Sequence, residues 1–486
     1  MTYLQKKKLA FMSIVNSVKG FLRTVTGIPP LTLPNCVDEN SIINYTISGN
    51  SVQDGTPSPD NPIEIESVGE KTANLFDVNN PFLIGGYISN NKLLSYNATY
   101  DSSPTVTIVL PIKSNTPYTA SRKLLGKRFA LATSPNAPAA SIELTNYTGS
   151  NGYTAENLTI TSGNDDKYLY VWFCNANFDT YTYQELMQEI QIVEGTEILP
   201  YEPYGYKIPV KASGKNLFDK NKATQGEALS IQTGGTYGAP TYLTTDYIQI
   251  ETGKTYSYNW KTPRWYNLYD ENKNYIEYGA NKQKFKNTKA TYVRFCADLT
   301  ELDTFQFEEG TATEYEPYAE PITTNIYLNE PLRKINDYAD YIDFENQKVV
   351  RNIKEVVLTG TEDWIYTSEF KAFYISHDGN LMTLQTPMCT HLVGIASGVG
   401  SVDNSLLINR WSVYITKLDL GENVDALIEF LKKSNVRYIH PLLTSTEENI
   451  NLSKLPMFKG TTIYSIDTTT QPSYMSATYY STSKGD

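Results

Sequence analysis

The chain writes one opening and one ending twice. The stretch "GTEILPYEPYGYKIPVKASGKNLFD" at 195–219 holds "YEPY", which recurs at 315–318 in "GTATEYEPY", and then "NLFD", which already stands at 74–77 in "ANLFD". Between these tags, 73–204 and 215–318 follow the same course. Each reaches an aromatic strand, "YLYVWFC" at 168–174 or "TYVRFC" at 291–296, and each closes on an alternating strand, "EIQIVEGT" or "FQFEEGT". "IKSNTPYTAS" at 112–121 aligns with "IETGKTYSYN" at 250–259 as strand, polar turn, strand. Two homologous β-modules therefore follow one another with almost no linker, the first with longer loops. In a β-sandwich the first and last strands lie at neighbouring edges, and proline stiffens the exit. The tags thus read as a seam whose tyrosines pack at the module junction. The matched Phe-Cys endings place Cys174 and Cys296 at one position of the two modules, as small core residues rather than disulfide partners.

Composition agrees with strands and turns. Tyr occurs 38 times against 17 Phe, and Ala-rich or Leu-rich helical stretches are almost absent. At 486 residues the chain exceeds one core. The reading is all-β in five parts: an N-terminal helix at 1–30, a β connector at 31–72, β-sandwich modules at 73–210 and 211–322, and a C-terminal β-domain at 323–486. The last holds a hairpin about "FENQK" and a single helix, "ENVDALIEFLKKSN", with Leu427, Phe430 and Leu431 on one face.

In residues 1–30, Leu4, Phe11, Val18 and Val25 recur every seven positions, with Val15 and Leu22 on the same face, and Gly27 and Pro29–Pro30 stop the run. The stripe can pack on its own domain, dock in an oligomeric bundle, or lie on a membrane through Lys6–Lys8; docking and oligomerisation are the favoured expectation. The run is too short and polar for a signal peptide or a membrane span. These thirty residues carry five basic and no acidic side chains, so with a net charge of −12 for the whole chain the remainder sums to −17. Such a body is a poor nucleic-acid binder.

Four scattered cysteines and three histidines make no metal motif, and no cofactor is expected. Asp165–Asp166 and Asp270–Glu271 read as turn residues, with structural calcium the weaker alternative. Neither they nor Asp340 and Asp343 form a paired-carboxylate motif, and no GxSxG, HExxH or P-loop occurs, so a non-enzyme is expected. Binding is the better reading. Sugars rest on flat aromatic faces while Asn, Asp and Arg satisfy their hydroxyls. The candidates are Trp172, Trp260, Arg264, Trp265, Tyr266, Tyr269 and Arg294. On the Phe-Cys strand Val293 and Phe295 share one face and Tyr292, Arg294 and Cys296 the other, with Trp172 as the counterpart of Arg294. Core or subunit-interface packing competes with this reading for every tryptophan. Trp364 and Trp411 are expected in the core, His377 in a turn, and His391 either in ordinary packing or exposed.

"GNSVQDGTPSPDNPIEIESVG", "GKNLFD", "EEGTATEYEPY", "IYLNEPLRKINDYADYIDFENQKVVRNI" and "FKGTTIY" occur in order over roughly 31–470. Together they resemble tail-associated minor structural proteins of bacteriophages that infect Gram-positive, clostridial-type hosts. The resemblance implies a virion protein whose jelly-roll modules are similar to carbohydrate-binding modules, commonly in a trimeric fibre. It carries over no catalytic residues. The expectation is thus a tail-fibre or appendage protein that assembles as a homo-oligomer, a trimer being favoured. It would attach to other virion proteins through 1–30 and present its modules to host cell-wall polysaccharide. The alternatives are a ligand-free collar, head-fibre or baseplate component and, less favoured, a wall-polysaccharide depolymerase.

Overall fold

The structure is a computed structural model that describes residues 46–466 and 479–483 apart from short stretches, the longest being 94–104, 175–186 and 377–385. The docking helix expected at 1–30 lies outside the described residues. What is described is almost entirely β, with one α-helix, Val424–Ser434. The chain divides into two units, 69–208 with 327–331, and the remainder.

The first module is a sandwich. Its larger sheet runs Asn146–Ser150, Arg128–Ser134, Tyr168–Cys174, Thr105–Pro111, Leu83–Gly85, and its smaller one Asn157–Thr161, Pro117–Arg122, Ile190–Glu194. Alternation along these strands sends Val106, Ile108, Phe129, Leu131, Leu169 and Val171 to one side, where they meet Tyr118, Ala120, Ile190 and Ile192 of the smaller sheet. The second module repeats the plan. Thr224–Leu229, Thr236–Thr244, Tyr292–Asp298, Trp265–Tyr269 and Tyr275–Ala280 form its larger sheet, with Ile248–Gln249 also on Tyr292–Asp298. Lys284–Lys286, Thr255–Tyr258 and Phe307–Glu309 form its smaller one. Leu243, Tyr256, Tyr258, Val293, Phe295 and Phe307 fill the space between.

The repeated tags are one hydrogen-bonded device. Asn74 Nδ2 donates to the carbonyls of Ile190 (3.5 Å) and Glu202 (3.1 Å), and its Oδ1 accepts from the amides of Phe76 (3.0 Å) and Ile192 (3.1 Å). Asn216 does the same with Phe305 (3.2 Å), Glu316 (3.0 Å), Phe218 (3.0 Å) and Phe307 (3.2 Å). Each asparagine ties the module's first segment to its last strand and to "YEPY". The glutamates fasten the tags further, Glu202 to Lys207 and Glu316 to Lys215, each at 2.8 Å. The leading tyrosines, expected to pack at the junction, are instead exposed, Tyr201 by 49% and Tyr315 by 42%. The second tyrosines, Tyr204 and Tyr318, are half-buried, and the Asn and Glu of the tags do the fastening because both can satisfy backbone groups or a lysine at a module's edge.

The aligned turns match as well. Asn115 and Gly253 both take positive φ, and the Tyr118 and Tyr256 hydroxyls accept from the amides of Lys113 and Glu251. Only asparagine and glycine enter that backbone region at little cost.

The described part of the expected β connector, 46–72, is built into sheets. Thr46–Ser48 pairs with Tyr341–Asp343 at the edge of a sheet continuing through Lys348–Leu358, Val436–Asn449 and Met388–Cys389. Gln53 Nε2 donates to the carbonyls of Ile63 and Cys389. Segment 46–68 is thus part of the C-terminal domain. That domain adds a second sheet, Ile365–Thr367, Ala372–Ser376, Ser412–Thr416, Ser405–Ile408, Val393–Ile395. Its core takes Leu427 and Leu431 from the helix, with Trp364 buried as expected. Trp411 is not in the core. It is 58% exposed at the turn between Ser405–Ile408 and Ser412–Thr416, where Asn409 Oδ1 caps the amides of Trp411 and Ser412 (both 2.8 Å). In "KIPVKASG", within Tyr206–Gly214, Val210–Gly214 pairs with Thr462–Ile466, so a segment read as a seam is a sheet strand.

Candidate functional site

Hydrogen-bond register decides which residues of the two modules correspond. Pro111 and Gln249 end matching strands; Pro111 faces Tyr168, and Gln249 faces Tyr292. Tyr168 therefore matches Tyr292, Tyr170 matches Arg294, and Trp172 matches Cys296. The equivalences expected from the Phe-Cys endings, Cys174 with Cys296 and Trp172 with Arg294, are both off by two positions. Because a slip of two keeps side chains on their face, Trp172 still points to the side that matches Arg294, but in module one that side is buried, with Tyr170 at 0%.

With the register corrected, the two tryptophans exchange places. In module one Trp172 lies opposite Ala130, and in module two Cys296 lies opposite Trp265. Each cross-strand pair holds one indole and one small residue, with the indole on alternate strands. Trp172, 3% exposed, packs with Ile88, Val109, Ala132, Ile142 and Tyr170. Trp265 packs on Cys296, Leu229 and Tyr242, and its Nε1 donates to the Leu229 carbonyl at 2.9 Å.

The outer face of module two is crossed by a strap, residues 229–234. Besides Trp265, Asn267 Nδ2 donates to the Ser230 carbonyl (3.0 Å), the Tyr269 hydroxyl to Gly234 (2.6 Å) and the Tyr275 hydroxyl to Ile231 (2.5 Å). Polar side chains on this face thus anchor backbone. Tyr266 points the other way, into the core, and stacks on Phe285 at 4.5 Å. Its ring lies where a methyl group at Gly279 would be, which is why that cross-strand position is glycine. Trp260 and Arg264 lie outside the described residues.

One part of the face remains open, and a bulge builds it. In module one, Thr107 faces Trp172 and Leu110 faces Leu169, so both strands advance by three. In module two, Thr244 faces Cys296 and Ile248 faces Val293, so one strand advances by four while its partner advances by three. The extra residue sits in 245–247, and β-bulges of this kind re-aim a side chain. Thr245 holds it: its amide donates to the Phe295 carbonyl (3.0 Å), and its Oγ1 accepts from the Phe295 amide (2.9 Å). Asp246 Oδ1 accepts from the Tyr247 amide at 2.7 Å.

Tyr247 consequently stands edge-on to Tyr269 (4.9 Å) and Tyr292 (6.1 Å). The Arg294 guanidinium lies 4.8 Å from its ring centre, fixed by Nε donating to the Thr245 carbonyl at 2.9 Å. Lys273 Nζ lies 4.8 Å from the Tyr247 ring and 5.7 Å from that of Tyr292. Tyr247, Tyr292 and Arg294 are half-buried and Lys273 is exposed. Of the expected residues, Arg294 lies in this cluster and Tyr269 only backs it, being 1% exposed with its hydroxyl on Gly234; Tyr247, Tyr292 and Lys273 were not singled out from sequence.

Asp166, Asp270 and Asp340 each hold backbone amides. Asp166 accepts from the Gly163 amide and Thr145 hydroxyl, and Asp270 from the amides of Asn272 and Asn274. Asp340 accepts from the amides of Arg333, Asn352 and Ile353. Among the described residues no three His, Cys, Asp or Glu side chains gather as a metal-binding group. No described helix is long and apolar enough to cross a membrane. His391 is buried with Nδ1 2.8 Å from the Thr390 hydroxyl, and His377 lies outside the described residues. The chain matches no protein-family model, and no curated protein matches it in sequence.

Proposed function

We propose that the chain is a non-enzymatic structural protein of a bacteriophage virion, part of a tail fibre or related appendage. In this reading residues 1–30 dock it to other virion proteins, it assembles as a trimer, and its β-sandwich modules recognise glycan on a Gram-positive, clostridial-type host. The signatures spread over 31–470 support the virion assignment, and the duplicated sandwich supports a display role. The observation that carries glycan recognition is the bulge at 245–247, which sets Tyr247 beside Tyr269, Tyr292 and Arg294 in one copy of a scaffold whose other copy lacks it. Half-buried tyrosine with a fixed guanidinium suits a sugar ring and its polar substituents.

A second reading, a ligand-free collar, head-fibre or baseplate component, draws on the packing of Trp172 and Trp265, which leaves neither indole as an open platform. Pull-down of the full chain on purified host-wall polysaccharide separates the two. Saturable retention is expected, and absence of retention favours the ligand-free reading. Release of reducing sugar from the same matrix would overturn the non-enzymatic assignment.

A further inference from the structure

We infer that the Tyr247 surface of module two takes an anionic saccharide, one whose repeat unit bears a carboxylate or a phosphodiester. The inference rests on the glycan-binding reading above and specifies its ligand. Two cations converge here on one ring in a protein of net charge −12. Among the described residues neither has a carboxylate partner. Arg294 uses Nε on the Thr245 carbonyl and Nη2, at 3.4 Å, on the Thr244 hydroxyl, which does not exhaust its five N–H groups, and the described contacts of Lys273 Nζ are aromatic rings. Four exposed lysines, Lys113, Lys220, Lys254 and Lys289, hold an acid at 2.6–2.9 Å, while others such as Lys211, Lys284 and Lys286 have, like Lys273, no ion pair among the described residues; Lys273 is set apart by sharing one ring with Arg294.

The backbone around Lys273 is also held in an unusual state. Lys273 has φ +63° in "DENKN", although an asparagine stands on either side of it and asparagine enters the left-handed region more cheaply than lysine. Asp270 fixes the turn by accepting from the amides of Asn272 (2.9 Å) and Asn274 (2.8 Å), and the Lys273 amide donates to the Asp270 carbonyl (3.1 Å). Tyrosine faces beside a lysine and an arginine can hold a sugar ring while the cations meet its anionic oxygen, in carboxylate or phosphodiester form. Asp270 and Asp246 keep their charges while accepting backbone amides, and neither is ion-paired with Lys273 or Arg294.

The test is affinity electrophoresis of the full chain through gels containing polygalacturonate, poly(glycerol phosphate), dextran or host-wall polysaccharide. It compares wild type with Lys273→Asn and Tyr247→Ala. Lys273→Asn removes the charge while suiting the left-handed turn, so its thermal stability should equal or exceed that of wild type. Retardation of wild type by an anionic polymer and not by dextran, weakened about tenfold in both variants and by roughly 0.5 M salt, is the expected result. Retardation by polygalacturonate alone assigns the carboxylate, and by poly(glycerol phosphate) alone the phosphodiester. Undiminished retardation of both variants, or retardation by dextran alone, overturns this inference while glycan recognition stands. No retardation in any gel, host polysaccharide included, overturns both.

Discussion

Replacing Asn216 by alanine should cripple the second module without touching its apolar core. The side chain is 2% exposed and makes four hydrogen bonds, two donated to carbonyls and two accepted from amides. Alanine keeps none of them, and all four partners are backbone groups that the fold holds in place. An unpaired buried polar group costs about 1–3 kcal/mol, and even the low end summed over four groups gives about 4 kcal/mol. That is a large share of the roughly 5–15 kcal/mol that holds a domain together. Asn74→Ala should cost the same in module one, because its four partners are equivalent. Asn216→Asp should be no better, since it sets a carboxylate against the carbonyls of Phe305 and Glu316. Urea unfolding of the full chain, followed by intrinsic fluorescence, reads the loss as a lower midpoint at unchanged slope. A shift worth less than about 1 kcal/mol in either alanine variant would refute the argument that the tags are clamps.

Three further outcomes follow from the geometry. Cys296→Trp should overpack and Trp265→Ala should leave a cavity, each costing about 1–5 kcal/mol, while the double variant, which copies module one, should cost clearly less than their sum; strict additivity in a thermal-melt cycle would deny the exchange of indoles. Asp340→Asn should destabilise by about 2–4 kcal/mol, because its oxygen can keep the amides of Asn352 and Ile353 only by setting its NH2 against the Arg333 amide and the Arg351 guanidinium. Burial pushes the Cys389 thiol up to about 11, so alkylation followed by peptide mapping should leave it unmodified in the native protein and modified in urea.

The fold was largely legible because the chain repeats itself. Strand alternation assigned Val293 and Phe295 to one face, and the tags placed the module edges. Register was not legible. The "FC" dipeptides at 173–174 and 295–296 look alike, but strand partners set correspondence, and those lie far away in sequence. The exchange of Trp172 and Trp265 was hidden for the same reason. The bulge did leave a trace: Leu243 and Ile248 both pack on the core, yet they are five apart, an odd spacing that unbroken alternation cannot give. Read that way, "LTTDYIQI" points to Tyr247 as an outward residue. Trp411 misled because tryptophan composition favours burial, whereas its turn is set by Asn409. Segment 46–68 looked independent because its strand partner, Tyr341–Asp343, lies almost three hundred residues later.

The central claim, that this protein holds a wall glycan on its β-modules, is tested most directly by titrating labelled full-length chain onto clostridial-type cell envelopes. The envelopes are used intact, then after acid extraction of their wall polysaccharide. Saturable binding that disappears with extraction is the predicted result. Binding undiminished by extraction, or no binding to intact envelopes at any concentration, would contradict it.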